Sequence, residues 1–307
     1  MILCCGEALI DMLPRETNAG EGAFSPYAGG AVFNTAIAMG RLGAPAGFFT
    51  ALADDFFGQL LVDTLAASKV DASFSLRVAR PCTLAFVRHE NGQAKYAFYD
   101  EGTAGRMLSP ADLPALPASI DTLFFGGISL VGDPCGSAYE ALMMREASTR
   151  TTMIDPNIRP GFITDETSYR ARIGRMIASA DIVKLSDEDL VWLEGKGEIE
   201  ALARGILSRG PKVVLITEGA KGAHGFTREV SAFAPARKVT VADTVGAGDT
   251  FNAGALTALY QAGKLGKAEL AALSKEDLTA ALDLGVRAAS VTVSRPGANP
   301  PWANELN

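Results

Sequence analysis

Residues 243–251 read DTVGAGDTF, and this stretch places two glycines and an alanine directly before an acid, Asp249. The residues that follow, as far as Leu259, have the apolar spacing of a helix. Small residues at a helix start let backbone N–H groups approach an anion, and the helix dipole favours the same charge. The stretch therefore predicts either an anion-binding turn or a turn that only connects a strand to a helix.

The acid in this turn favours a catalytic function over simple anion binding. A carboxylate repels a bound anion, so Asp249 suits a site where a hydroxyl must lose its proton while a phosphoryl group is transferred beside it. The amides of Gly246, Ala247 and Gly248 would then stabilise charge on the phosphoryl oxygens. An ordinary helix cap is the alternative function of Asp249.

Composition excludes several classes of protein. The chain has 307 residues, of which 48% are hydrophobic and 21% charged, with a net charge of −7 and no long basic run. These values predict a globular protein that does not bind nucleic acid. Four scattered cysteines without a CxxC pair favour reduced thiols. The sequence shows no signal-peptide pattern and no apolar run of about 20 residues. We therefore expect a cytoplasmic protein without a membrane span.

Short apolar runs alternate with amphipathic segments along the chain. This alternation is typical of α/β units around a mostly parallel sheet covered on both faces, and we expect one domain over residues 1–307. The predicted strands are Ile2–Cys5, Thr122–Phe125, Thr152–Ile154, Asp181–Leu185 and Lys212–Thr217. The predicted helices are Asn34–Leu42, Phe57–Ser68, Ser137–Ala147 and Tyr169–Ala178.

One region breaks this alternation and predicts a small antiparallel sheet. Thr83–Arg88 and Gln93–Tyr99 are strand-like, and Asn91-Gly92 between them is a hairpin signal. We expect a β-sheet lid inserted at about 12–32 and 74–105, although a surface hairpin without a function fits the same pattern. An exposed edge of such a lid would allow two lids to pair in a homodimer.

Other catalytic motifs are missing from the sequence. No GxxxxGK[ST] is present, and no GxGxxG follows the first strand, as a nicotinamide-dependent dehydrogenase would need. His89 lies in the presumed hairpin turn and His224 in a glycine-rich segment, without the partners of a Ser-His-Asp hydrolase. Both are interpreted as solvated loop histidines.

Two signatures at a specific separation identify a resemblance. DTVGAGDTF and, near the start, AGGAVFNTAIAMGRLG at 28–43 resemble the two signatures of the ribokinase-like (PfkB) carbohydrate kinases. Further similar stretches follow in family order: GEALID at 6–11, ALADDFFG at 51–58, DPNIRPGF at 155–162, KLSDEDL at 184–190 and TEGAKGA at 217–223. The resemblance implies a three-layer α/β/α core with a β-lid, and transfer of the γ-phosphoryl group of ATP to a terminal sugar hydroxyl.

The resemblance also implies functions for individual residues. Asp249 matches the family's general base, and Gly246–Gly248 match its anion hole. Arg159 matches a contact to substrate or phosphate. The positions that match sugar-binding residues are Asp11, Gly29, Gly30 and Asn34, and those that match the nucleotide loop are Thr217, Gly219 and Gly222. Lys184 lies at the end of a predicted strand, where it could reach a phosphate of the nucleotide or be an ordinary surface lysine.

Metal sites are implied at two places. Ser186 and Asp189 stand where the family has an Asn-x-x-Glu pattern that contacts Mg²⁺ through water, and either Asp189 or Glu188 could supply the carboxylate. A monovalent cation such as K⁺ is implied by a second set of residues, Asp243, Val245 and Gly297.

The lid sequence bears on the choice of sugar. KYAFYDEGTAGRML at 95–108 is similar to the pattern of bacterial fructokinases, which implies conversion of D-fructose to fructose 6-phosphate. Phe98 and Tyr99 would pack on the sugar, or on the core, with Arg106 close by. A kinase of 2-keto-3-deoxygluconate, ribose or a nucleoside is the alternative, as is a sugar-binding sensor without catalytic activity.

Overall fold

Short strands, buried in the middle of the sheet and partly exposed at its two edges, build the larger sheet of this computed structural model. The structure describes residues 1–90 and 93–306, and the side chains of 1–87 and 97–306. In chain order the strands are β1 (Ile2–Cys5), β2 (Leu9–Glu16), β3 (Gly22–Gly29), β4 (Ala46–Phe49), β5 (Ala51–Ala53), β6 (Val70–Asp71), β7 (Leu76–Val78), β8 (Leu84–Glu90), β9 (Gln93–Tyr99), β10 (Thr122–Gly126), β11 (Thr151–Asp155), β12 (Ile182–Ser186), β13 (Val213–Thr217), β14 (Gly222–Phe226) and β15 (Ser231–Pro235).

The larger sheet is mostly parallel. Its order within the described residues is β15-β14-β13-β12-β11-β10-β1-β4-β6, and only the β13–β14 and β14–β15 pairs are antiparallel. The five predicted parallel strands all form, with bounds within one residue of the prediction. Their continuous apolar character is explained by burial on both sides.

Helices cover this sheet. In chain order they are α1 (Ala31–Leu42), α2 (Phe56–Ala67), α3 (Cys135–Glu146), α4 (Glu166–Ser179), α5 (Asp187–Glu194), α6 (Ile199–Leu207), α7 (Ala247–Gln261), α8 (Lys267–Ala271) and α9 (Lys275–Val293). α1 and α9 both pack against α7, while α3 packs against α4 and α5 against α6. The predicted α/β class with a mostly parallel sheet is confirmed. The predicted helices begin one to three residues too late.

A separate four-stranded sheet, the lid, has the order β3-β2-β8-β9. Its strands begin at Leu9, and residues 31–32 belong to α1. Within the predicted 74–105 segment, β7 pairs with β5 in a two-stranded sheet and is not part of the lid. The predicted turn at Asn91-Gly92 lies outside the described residues.

The two faces of the lid differ. Strand register places Asp11, Ala85 and Phe98 side by side on one face, and Met12 and Phe86 on the other. The first face has buried side chains, including Ala85. On the second face Phe86 contacts Phe24 and Tyr99 edge to face, and those two rings are 47% and 61% exposed. The lid therefore has one face towards the core and one aromatic face towards solvent.

Three further expectations from the sequence concern the cysteines, membrane spans and His224. All four cysteines are buried and free. No helix within the described ranges is both long and apolar enough to cross a lipid bilayer. The prediction for His224 was wrong: it lies on β14, stacks against Phe226 and Phe233, and bonds Glu218 at 2.8 Å, because the glycines around it belong to a strand.

Candidate active site

The turn at 244–248 forms as the glycines predict. Gly246 has φ 78°, in the left-handed region, and a Cβ there would lie 2.8 Å from the Cβ of Ala298. It is the N-cap of α7 and provides no side-chain cap. Within the described residues the N–H groups of Gly248 and Asp249 donate to no other group. Two amides at a helix start are thus available to an anion.

Asp249 is not the cap of this helix. Its Oδ2 accepts a hydrogen bond from Nδ2 of Asn34, at 3.0 Å, and the residue is 6% exposed. Burial raises the pKa of this carboxyl to about 7, an effect that the Asn34 hydrogen bond opposes and the nearby Asp155 carboxylate reinforces. A carboxylate with a pKa close to neutral suits a general base.

The start of α1, the helix that carries Asn34, is held in place by Glu7, a residue for which the sequence predicted no function. Glu7 lies in the connection from β1 to β2 and is buried. Its Oε1 accepts a hydrogen bond from the N–H of Ala31 at 2.9 Å, and its Oε2 accepts one from the N–H of Ser129 at 3.3 Å. Glu7 thus caps α1 from a different part of the chain, since the N-cap Gly30 has no side chain. The position of Glu7 directly after a buried strand was the available signal.

Asp11 and the two glycines of the first signature lie together. A Cβ at Gly29 would overlap the Asp11 carboxylate, and Gly30, with φ 112°, would place a Cβ 2.9 Å from the carbonyl oxygen of Glu7. Burial raises the pKa of Asp11 to about 6. No described residue donates a hydrogen bond to this carboxylate, so both of its oxygens can accept from sugar hydroxyls.

The lid aromatics have different surroundings. Phe98 shares the lid face of Asp11 and contacts Phe162 of the 156–163 loop, with ring centroids 5.0 Å apart. Tyr99 lies on the opposite, solvent-exposed face. The expectation that both rings pack on a sugar under the lid was therefore wrong for Tyr99, because neighbouring residues of a strand alternate between faces.

The two candidate arginines are placed differently. Arg106 lies against Gly132, where any side chain would overlap its guanidinium, and its Nη1 is 3.7 Å from Oδ2 of Asp100. Arg159 is exposed, and its Nη1 donates to the carbonyl of Ile158 at 3.0 Å. Arg106 is thus packed against the backbone at Gly132 and paired with Asp100, whereas most donors of Arg159 remain available to a ligand.

A buried polar cluster connects β11, β12 and α7. Nζ of Lys184 lies 2.9 Å from Oδ2 of Asp155, which also accepts from Nδ2 of Asn252 at 2.7 Å. The same ammonium lies 3.1 Å from where a Cβ on Gly248 would be. Asp155 and Asn252 were missed from the sequence, although Asn252 is three residues beyond Asp249 on the same helix face.

The residues of the implied nucleotide loop lie between β13 and β14. Thr217 ends β13, Gly219 has φ 50°, and Gly222 has φ 135°. A Cβ at Gly222 would overlap the carbonyl oxygen of Ala234. Glycine is required at Gly222, because a side chain would overlap β15. The loop is therefore a tight turn with exposed backbone at Gly219.

Ser186 and Asp189 form a capping box at the start of α5. Oγ of Ser186 accepts from the N–H of Asp189 at 3.0 Å, and the Asp189 oxygens accept from the N–H groups of Ser186 and Ile158. Among the described side chains no three His, Cys, Asp or Glu residues cluster closely enough to hold a metal on their own. One buried acceptor nearby, Oδ1 of Asn252, has no partner in the described structure and fits a water bound to Mg²⁺. Glu188, the other candidate, is exposed.

The residues implied for a monovalent cation connect two loops. Oδ1 of Asp243 accepts from the N–H of Val245 and Oδ2 from the N–H of Gly297, each at 3.0 Å. The Asp243 carboxylate therefore joins the anion turn to the segment after α9. Backbone carbonyls in these loops are the groups that would bind a cation.

Comparison with known proteins agrees with this geometry. The model of the pfkB family carbohydrate kinases matches residues 1–305. A fructokinase of Rhizobium leguminosarum bv. trifolii is 58% identical over 278 residues, which are 91% of this chain and 85% of that protein. A fructokinase of Klebsiella pneumoniae is 34% identical over 83% of this chain and 82% of the Klebsiella protein. The crystal structure of a fructokinase from Xylella fastidiosa with bound ATP has a TM-score of 0.89 and 28% identity, covering 99% of this chain and 97% of that one.

The chain belongs to the pfkB family of carbohydrate kinases. Its fold is the ribokinase-like one, and the protein is a sugar phosphotransferase. The family and fold implied by DTVGAGDTF and AGGAVFNTAIAMGRLG are confirmed.

Proposed function

We propose that this protein is an ATP-dependent fructokinase, which transfers the γ-phosphoryl group of ATP to the 6-hydroxyl of D-fructose. The observation that carries the proposal is the position of Asp249, a buried carboxylate directly beside two free amides at the start of α7. A base and an anion site at one point are what phosphoryl transfer to an alcohol requires. The 58% identity to a fructokinase supports fructose as the alcohol.

The proposed mechanism begins with the sugar under the lid. Asp11 and Asn34 bind its hydroxyls, and Phe98 covers it. Gly29 leaves room for the Asp11 carboxylate and Gly30 for the backbone of Glu7. Asp249 accepts the proton of the 6-hydroxyl as that oxygen attacks the γ-phosphorus in line, and the bond from this phosphorus to the β–γ bridging oxygen breaks, so that ADP leaves. The free amides of Gly248 and Asp249 stabilise the negative charge of the transferring group, while that of Ala247 already donates to the carbonyl of Thr244. The lid excludes water that would otherwise be phosphorylated.

ATP would lie along the loop at 217–222, with Arg159 and Lys184 close to its phosphates. Mg²⁺ would be held by the triphosphate and by waters near Ser186, Asp189 and Asn252, and when bound it neutralises phosphate charge. K⁺ would bind backbone carbonyls beside Asp243, Val245 and Gly297. These ligand assignments are part of the proposal.

A coupled assay of ADP release tests the function. We expect kcat/KM for D-fructose to exceed that for ribose, 2-keto-3-deoxygluconate and adenosine. Phosphorus NMR should show that the product is a 6-phosphate. A higher kcat/KM for another of these sugars would replace fructose as the substrate. Binding of sugar and ATP without ADP release would identify a sensor.

The lid also supports a proposal about assembly. Its outer face carries Phe24, Phe86 and Tyr99, and β3 is an edge strand of the sheet. We propose that a second copy of this chain covers this face, in a homodimer made through the two lids. Light scattering should give the mass of a dimer, and Phe24→Ser with Tyr99→Ser should give a monomer; a monomeric wild-type protein would contradict the proposal.

A cytoplasmic location belongs to the same proposal. The four buried, unpaired thiols suit a reducing compartment, and the cytoplasm supplies ATP. Fractionation of cells that produce the protein should recover the kinase activity with cytoplasmic marker enzymes.

A further inference from the structure

Asp155 bonds three different parts of the chain around the anion turn. At the end of β11 it is 2% exposed, and its Oδ2 accepts from Lys184 of β12 at 2.9 Å and from Asn252 of α7 at 2.7 Å. Its Oδ1 accepts from the N–H of Asn157, at 3.1 Å, in the loop that carries Arg159. One carboxylate thus fixes a lysine, a helix and a loop relative to each other.

The lysine in this cluster lies directly against the anion turn. Nζ of Lys184 is 3.1 Å from the position of a Cβ on Gly248, and the residue is 4% exposed. Burial alone would lower the pKa of this ammonium, but the carboxylates of Asp155, Asp189 and Asp249 together outweigh that effect and raise it. The absence of a side chain on Gly248 therefore lets a buried positive charge approach the turn.

We propose that Asp155 is a positioning residue for phosphoryl transfer: it holds the Lys184 ammonium beside the 246–248 turn, where this ammonium contacts the transferring phosphoryl oxygens. The inference rests on the proposed function and extends it to residues outside both family signatures. Asn252 supports the same carboxylate oxygen from α7, so the ammonium and the base Asp249 keep a fixed relative position.

Without Asp155 the ammonium would lose this position. A lysine side chain has four rotatable bonds, and an unpaired charge in a buried site is costly. Lys184 would then move towards another carboxylate. Asp189 and Asp249 are the candidates, because the positive charge of Lys184 already lowers the pKa of each. An ion pair with Asp249 would weaken the base as well as remove positive charge from the phosphoryl group.

The test compares Asp155→Asn with a matched control, Asp181→Asn. Asp181 also accepts from two lysines, Lys212 at 2.8 Å and Lys267 at 2.6 Å, but it lies just before β12, at the opposite end of that strand from the anion turn. We expect Asp155→Asn to lower kcat by about 10- to 100-fold, with the KM for fructose changed by less than about threefold. Asp181→Asn should keep the wild-type kcat.

A double-mutant cycle separates positioning from a merely structural function. Lys184→Met should lower kcat to a similar extent, and adding Asp155→Asn to Lys184→Met should lower it little further, because the two residues act as a unit. Independent, multiplicative losses would overturn the proposal, as would a wild-type kcat in Asp155→Asn. If Asp155→Asn does not fold, a wild-type kcat in Lys184→Met overturns it instead.

The wild-type enzyme distinguishes this inference from the proposed function. Fructose turnover by the wild type together with an unchanged kcat in Asp155→Asn would contradict only the positioning function of Asp155. Absence of wild-type turnover with every sugar tested would overturn both.

Discussion

The carboxylate of Asp249 and the amide of Asn34 meet at 3.0 Å although 215 residues separate them in the chain. Asn34 lies in the first turn of α1 and Asp249 in the first turn of α7, and the two helices pack against each other. This contact joins the two signatures of the family into one site. It also fixes the orientation of the base, because the amide donor occupies Oδ2 and leaves Oδ1 available to a substrate hydroxyl.

The pH dependence of turnover should follow the ionisation of Asp249. Burial raises the pKa of this carboxyl to about 7, the carboxylates of Asp155 and Glu7 add to the rise, and Lys184 and the Asn34 hydrogen bond oppose it. Only the ionised form accepts a proton, so kcat/KM for fructose should fall about tenfold per pH unit below about 7 and level off above it.

A variant separates this effect from the titration of ATP itself. Asn34→Ala removes a hydrogen bond that favours the ionised form, so the midpoint of its pH profile should move to higher pH than that of the wild type at the same ATP concentration. Identical midpoints in the two enzymes would show that Asp249 does not control the profile.

Fructose binding should be sensitive to one methyl group on β3. In Gly29→Ala the added Cβ would overlap the Asp11 carboxylate, which must then leave its position. We expect the KM for fructose to rise about tenfold or more, which corresponds to the loss of a hydrogen bond to a charged group. Gly22→Ala is the matched control, since nothing lies within 4 Å of a Cβ at that position of the same strand. Equal KM values in the two variants would contradict the assignment of Asp11.

Stability should increase when the base is neutralised. The pKa of Asp249 is raised from 3.8 to about 7 in the folded protein, so the wild type loses stability as pH rises through this range. Asp249→Asn has no charge to bury and keeps an amide oxygen for the Asn34 bond. Its free energy of unfolding at pH 8 should exceed that of the wild type by up to about 4 kcal/mol, and the difference should vanish near pH 4.

Urea denaturation at both pH values measures this difference. Asp165→Asn serves as the control, because its hydrogen bonds to Ser168 lower the pKa of that exposed carboxyl and its neutralisation should not stabilise the protein. A wild type more stable than Asp249→Asn at pH 8 would contradict the burial of an unfavourable charge at this site.

Local patterns in the sequence predicted the parts of the structure that local interactions determine. The glycines of 243–251 require a turn before α7, and the apolar runs form the parallel strands. The Asn34–Asp249 contact could be expected only through the family resemblance, because no local pattern specifies which helices pack together.

The remaining differences depend on register and on distant partners. Strand alternation places Tyr99 on the outer face of the lid, and only the pairing of β8 with β9 and β2 shows which face that is. Asp155 and Lys184 come together because β11 and β12 are neighbours in the sheet. Glu7 caps a helix 24 residues away. None of these relationships is specified by neighbouring residues in the chain.

The most direct test of the account is the turnover number of Asp249→Asn with D-fructose and ATP, measured by ADP release alongside calorimetric titration of ATP. We expect a kcat about 100- to 10,000-fold below that of the wild type, with the Kd for ATP unchanged within a few-fold and full activity in Asp165→Asn. A near-normal kcat in Asp249→Asn would show that another group removes the proton, and would contradict the account.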